Sequence, residues 1–550
     1  MASLTFIGCN KKFDGMLNNP NFPTPDAANA DLYLTQAQLS FASFFDGASD
    51  YGMQLSRQIV MYGPTYQNAY TPQGYDGLWS TAYTGLFKHA NALIPIADAQ
   101  KKYVNVAMAK ILKAYALMTL VDMFGDVPMS EANLGTDNTN PKADKGVDIY
   151  AAAIVLLDGA IADLAKTPSA YPGSQDLFYG AGNAAGAAKW RRAAKTLKLR
   201  AFVNTRLVDA AAKTKIEALL TENDLINVQA DDFEFKYGTK DANPNSRTPK
   251  FNNNYLAGVG GANDYIGNYM MWCLVIEKGG SVTLSTIDPR ARYYFYRQQT
   301  NYANANQQSA SCIAEPRPSH YPASMPFCLI GGGYWGRDHG DGSGIPPDRN
   351  LRTSVGVYPF GGEFDANQGA IATLNMGAKG AGIAPIWSNT FTHFIKAEAA
   401  IMLGVTTGGL TPRAALEAGV RSSIAKAVSY PATVNVVVPA TSVPDATRID
   451  TWVNTKVLPI YDAATTNSAR LDAVMKEYYI ALWGNGIDAY NMYRRTGMPL
   501  NMQFAKITAP GDFIRSHFYP SNYVNLNQNA IQKALTAQVY WDNNPAGFIK

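Results

Sequence analysis

Cysteine is scarce in this 550-residue chain: there are four, Cys9, Cys273, Cys312 and Cys328. So few thiols exclude a disulfide-built scaffold, and no two have the short spacing of a structural zinc site. Cys312 and Cys328 could close a loop or stay as buried free thiols. Charge is scarce too, with 16% Asp, Glu, Lys and Arg and a formal net charge of +4. A dedicated nucleic-acid binder concentrates strong positive charge on one face, so nucleic acid is not expected as a partner. No unbroken run of 18 apolar residues is present, which leaves no evident membrane span.

What the chain has in quantity is aromatic and small residues: 32 Tyr, 8 Trp, 23 Phe and 46 Gly. The clearest element is the stretch 101–128. Its apolar residues Val104, Ala107, Met108, Ile111, Leu112, Tyr115, Met118 and Val121 recur at three- and four-residue steps, which predicts a helix with one broad buried face. Gly125 supplies the stop and Pro128 prevents any resumption. Three further helix pairs are read the same way, giving hairpins at about 77–125, 147–209, 388–428 and 467–495. Each is too small to bury its apolar face alone and needs a neighbour. A helical pattern also runs over 27–45, followed over 44–79 by an aromatic, Gly/Pro-interrupted loop. The span 213–386 is rich in Gly, Asn, Pro and Tyr and is read as one long insertion with few strands, 232–237 among them. Loops of this length carry function more often than packing.

Cys9 follows Leu4, Thr5, Phe6, Ile7 and Gly8. An apolar run ending in a small residue before Cys resembles the lipobox of bacterial lipoproteins, so Cys9 is the candidate lipidation site. Residues 1–25 are then a signal remnant, lipobox and tether, and 26–550 a single domain.

Asp338, His339 and Asp341 fit neither an EF-hand nor a zinc-helix spacing, so no metal is expected. Glu363 and Asp365 could form a glycosidase pair, but carboxylates in a Gly-rich turn are usually solvated. Gly331–Gly333 lacks the Lys-Ser/Thr of a phosphate loop. Glu398, on an apolar stripe, is better read as a partner for an Arg than as a catalyst. The basic run 189–206 reads as a solvated helix face with Arg bridging to neighbouring helices. Aromatic platforms with polar neighbours suit sugar rings, whose C–H faces pack on aromatics while their hydroxyls pair with Arg, Asn and Asp; peptides can use the same surface. Tyr66, Asn68, Tyr70, Trp272, Trp335 and Arg337 are the candidates.

Several patterns, in order, resemble the SusD/RagB family. They are Lys113-Ala114-Tyr115 with Phe124-Gly125-Asp126-Val127-Pro128; Trp190 with Leu197-Lys198-Leu199-Arg200; Gly336-Arg337-Asp338-His339-Gly340; Ala397-Glu398-Ala399; and Lys476 through Arg494-Arg495-x-Gly497-x-Pro499. The resemblance implies a mainly α fold with four tetratricopeptide-like helix hairpins as scaffold. It also implies an outward-facing, lipid-anchored outer-membrane protein that is not an enzyme and needs no cofactor. Its expected partners are a SusC-type TonB-dependent barrel, for which it acts as a lid, and an oligosaccharide or oligopeptide nutrient. A glycoside hydrolase and a ligand-free surface scaffold are the rival readings.

Overall fold

The computed structural model describes residues 29–255, 265–282, 286–300, 312, 315–342 and 352–550. Cys9 and its tether lie outside these residues. Among the described residues the fold is mainly helical, with two small two-stranded sheets.

Helix α1, Ala30–Leu55, opens with the Asn29 side chain accepting from the Asp31 amide. It runs ten residues past the expected end at 45. The glycines that suggested a loop serve close packing instead: a Cβ on Gly52 would lie 2.0 Å from the Gly486 carbonyl oxygen, and one on Gly486 would lie 2.1 Å from the Met53 nitrogen. Only residues without a side chain let these two backbones touch. A continuous helical path over 76–99 ends in α2, Lys88–Ala99, and a sharp turn leads into α3, Tyr103–Phe124.

Of the 22 residues of α3, 19 are buried, and only Tyr103, Lys110 and Lys113 keep some exposure. The expected single buried face is therefore a corrected reading: α1, α2, α4 (Gly146–Leu164) and α5 (Ala184–Asn204) surround the helix. Although long and apolar enough to cross a membrane, it is enclosed in protein. Burying each large apolar side chain contributes about 1.5–3 kcal/mol, which makes α3 the axis of the core. Gly125, at φ 77°, stops it with its amide bonded to Val121, and Asp126 then caps α4 by accepting from the Gly146 amide at 2.8 Å. A short helix, α6 (Asn268–Val275), lies within the insertion.

Helices α7 (Asn389–Leu403) and α8 (Pro412–Thr433) form the third pair. The last pair is α9 (Asn467–Ala481) and α10 (Gly486–Thr496), in which α9 packs on α7 while α10 turns to lie chiefly on α1. Strand β1, Phe233–Lys236, falls within the expected 232–237 and pairs antiparallel with β4, Ile383–Trp387. Strands β2, Phe295–Arg297, and β3, Thr353–Val355, pair antiparallel inside the insertion.

Charged groups stitch the helices together. Asp122 on α3 accepts from Tyr150, Trp541, Asn491 and Arg200, while Arg200 also reaches Asp488 at 2.6 Å. Glu398 on α7 receives a two-pronged bond from Arg495, both arms 2.7 Å, and a third contact from Arg206 at 3.0 Å. Burial pushes the Glu398 carboxyl pKa up, but the Arg495 and Arg206 charges outweigh it and hold the group below its ordinary value. The structural reading of Glu398 holds. On the outer side of α5, Lys189 reaches the Ala230 carbonyl, while Arg191, Arg192, Lys195 and Lys198 are paired with Asp224, Asp231, Glu222 and Asp158.

Candidate functional site

A cleft of about 760 Å³ opens where the loop after α1 meets the insertion and the chain after α10. Its first wall begins at Arg57, a non-glycine residue at φ 61°. This guanidinium is buried and donates to the carbonyls of Leu55, Gln503 and Lys550 and to the Tyr66 hydroxyl. The turn Tyr66–Ala69 follows, capped by the Thr65 hydroxyl accepting from the Asn68 amide at 3.2 Å. The Tyr66 amide donates to Pro510 and its ring meets Phe513 edge-on at 5.4 Å, which fixes this turn on the far wall.

Phe504 and Phe513 join Tyr66 as aromatic lining, with Ile507 and Ile549 beside them; Thr508, Asp512, Thr536, Gln538 and Lys550 bring polar atoms to the same space. Phe504 is half-buried, stacked at 6.3 Å against His320 of the insertion and approached at 5.2 Å by the Lys550 ammonium. The cleft thus offers apolar faces and hydrogen-bonding groups together, the combination that a polar ring needs. Behind it, His339 pairs with the Tyr66 hydroxyl at 3.3 Å. Burial first and the Arg57 charge second hold its imidazole pKa well below the ordinary value, so His339 is neutral at physiological pH.

Of the six sequence candidates, Tyr66 lines the cleft and Asn68 is exposed on the same turn. Three others are buried, as Tyr66 is, but do not line the cleft. Tyr70 donates to Gln54 and packs against Tyr51 and His517. Trp335 fills a satellite cluster with the Cys312–Cys328 disulfide, Phe327 and Leu329. Arg337 lies 4.7 Å over the Tyr265 ring and 3.3 Å from Asp341. Trp272 stands outside the cleft, half-exposed, stacked on Tyr269 and 5.6 Å from the Lys476 ammonium. In each case an aromatic or Arg in a loop-rich stretch found partners within the protein, the ordinary fate of such residues.

The other weighed groups are structural here. Asp338 accepts from Asn268, Gln503 and the Cys328 amide. Asp365 is not solvated but buried in an ion pair with Arg297 at 2.6 Å, while Glu363 accepts from the amides of Phe364 and Gly377. Gly331, Gly332 and Gly333 all have positive φ and form a tight turn whose Gly332 carbonyl accepts from Arg297. No cluster of three or more His, Cys, Asp or Glu suited to a metal occurs among the described residues. The 504–513 wall is not among the sequence candidates, because it forms no helix or strand and carries no periodic signal. Phe504 and Phe513 among Pro and Gly were the available signal.

Residues 24–310 match the SusD-like family described as "Starch-binding associating with outer membrane". Residues 383–544 match the family described as "Susd and RagB outer membrane lipoprotein". A search of curated proteins finds no match. Among solved structures, a chitin-binding protein superposes with a TM-score of 0.66 at 18% identity, covering 94% of this chain and 100% of its own. A SusD/RagB family protein from Bacteroides thetaiotaomicron gives 0.64 at 20%, covering 94% and 100%. A chitin-binding SusD homolog from Flavobacterium johnsoniae gives 0.58 at 18%, covering 93% and 99%.

Proposed function

The chain belongs to the SusD/RagB family of outer-membrane lipoproteins, and from that membership we propose that it captures an oligosaccharide nutrient at the cell surface. The observation that carries this reading is the cleft itself: about 760 Å³, with Tyr66, Phe504 and Phe513 beside hydroxyl and amide groups. The reading keeps Tyr66 and Asn68 as ligand contacts and adds Phe504 and Phe513; Tyr70 and Arg337 become supports. Cys9 carries the lipid, and a SusC-type TonB-dependent barrel receives what the cleft releases. The reading assigns no catalytic residue. It is supported by the ion pair that occupies Asp365 and the amides that occupy Glu363.

Calorimetry with maltoheptaose, chitohexaose and a mixed pool of short peptides tests the ligand class. Saturable heat from a glycan, lost in Phe504→Ala, is the expected result. Heat from the peptides alone would transfer the same lid role to an oligopeptide, and glycan cleavage that disappears in Asp365→Asn would overturn the non-enzymatic reading.

A further inference from the structure

An arm with little means of holding itself reaches the cleft through His320. Residues 315–328 contain Pro316, Pro318, Pro322 and Pro326, and proline has no amide to donate to a backbone ladder. The arm is instead fastened to 503–506 mainly through side chains. The His320 Nε2–H donates to the Ala505 carbonyl at 2.9 Å, and the Tyr321 hydroxyl to that of Phe504 at 2.8 Å. Gln503 donates to Pro326, and Lys506 pairs with Glu315. These contacts set the segment that presents Phe504. One end of the arm is covalently closed by the Cys312–Cys328 disulfide, packed under Trp335 in a cluster separate from the main core.

We propose that the Cys312–Cys328 disulfide, with His320 and Tyr321, is a positioning device for the cleft: it holds the proline-rich arm against 503–506 so that the Phe504 wall stands ready before ligand arrives. The ligand part of this inference rests on the cleft being the binding site; the positioning part does not. The two cysteines are 16 residues apart, and closing a loop of that size suppresses open conformations by on the order of a hundredfold. The helical core, which the arm barely enters, needs no such closure.

Amide hydrogen exchange on the full chain separates these claims, comparing wild type, Cys312→Ser/Cys328→Ser, and the bond-retaining pair His320→Ala and Tyr321→Phe. The expected result is exchange at the amides of Phe504 and Lys506 and across 319–329 that is ten- to a hundredfold faster in the double Ser variant, and several-fold faster in the bond-retaining variants, with α3 unchanged. Unchanged exchange at these amides would overturn the proposal. Acceleration of α3 by the same factor would also overturn it, because the bond would then serve the whole fold. Calorimetry with maltoheptaose and chitohexaose is run alongside. If Phe504→Ala abolishes glycan binding but the double Ser variant binds like wild type, the positioning role is wrong and the site is right. If Phe504→Ala binds normally, the site assignment fails, and the exchange data still decide the positioning claim.

Discussion

The helical scaffold and the cleft wall solve the same problem, holding polar backbone and charged side chains in place, by opposite means. Around α3, α5 and α10 the chain buries ionised groups and gives them partners: Asp122 has four donors and Glu398 three contacts from two guanidiniums. At the cleft, Tyr66, His320 and Phe504 sit on segments with almost no regular structure, held by side-chain bonds to carbonyls and by one disulfide. The scaffold spends its interactions on rigidity over long sequence separations, Asp122 to Trp541 being 419 residues apart. The wall's fastenings reach as far, His320 to Ala505 being 185 residues apart and Arg57 to Lys550 493, but they are hydrogen bonds to backbone carbonyls rather than a network of buried ion pairs. Stability and recognition are therefore expected to respond to different mutations.

The sharpest way to break that division is in the scaffold. Asp122→Ala strands Arg200 with only the Asp488 carboxylate and leaves Tyr150, Asn491 and Trp541 without their acceptor. Removing one partner of a buried ionic network typically costs about 3–5 kcal/mol. Chemical denaturation should show a loss of that size, and a loss below about 1 kcal/mol would mean that the network is dispensable.

Phe504→Ala is the converse. Phe504 is half-buried on the wall, so its removal should lower glycan affinity by about ten- to a hundredfold, the range for losing a central aromatic contact. The melting temperature should barely move. A variant that melts early yet binds normally would reverse the roles assigned to the two regions.

His517 sits where the regions join and sharpens the comparison by pH. Its ring is enclosed by Tyr51, Tyr70, Tyr75, Phe124 and Tyr490, and its amide donates to Met123 of α3. Burial, then the Arg494 and Lys533 charges, hold its pKa well below the ordinary value. Above about pH 6.5 neither folded nor unfolded chain protonates this residue, so it adds no pH dependence. Below that, the unfolded chain takes the proton first, and stability falls by up to about 1.4 kcal/mol per pH unit until the folded pKa is reached. The stability advantage of wild type over His517→Gln should therefore shrink between pH 7 and pH 5. A gap that stays constant would show that the ring accepts its proton without cost.

How much of this was legible in the sequence divides along the same line. Helices α3, α4, α5, α7 and α8 were readable because a period of 3.6 and Gly or Pro stops are local signals. What was not local was misread. The all-round burial of α3 depends on which helices surround it, and the continuation of α1 to Leu55 was masked by Gly47, which faces the Leu78 side chain, and by Gly52, which serves a contact with Gly486 more than 400 positions away. At the site, Tyr66 was legible as an aromatic in a loop, yet the same signal promoted Tyr70 and Trp335, which do not line the cleft. Composition cannot say whether an aromatic in an irregular stretch meets solvent or a partner such as the Cys312–Cys328 bridge.

Asn68 gives the smallest effect and the finest test of where recognition ends. It is exposed on the turn that carries Tyr66, and its amide, not its side chain, completes the Thr65 cap. Asn68→Ala should then leave stability within about 0.5 kcal/mol, the usual range for a surface change that removes no cap or core contact. If its amide group reaches ligand hydroxyls, glycan affinity drops by about two- to tenfold, the worth of one net hydrogen bond. Unchanged affinity would confine recognition to the aromatic wall, and lost stability would place Asn68 with the scaffold.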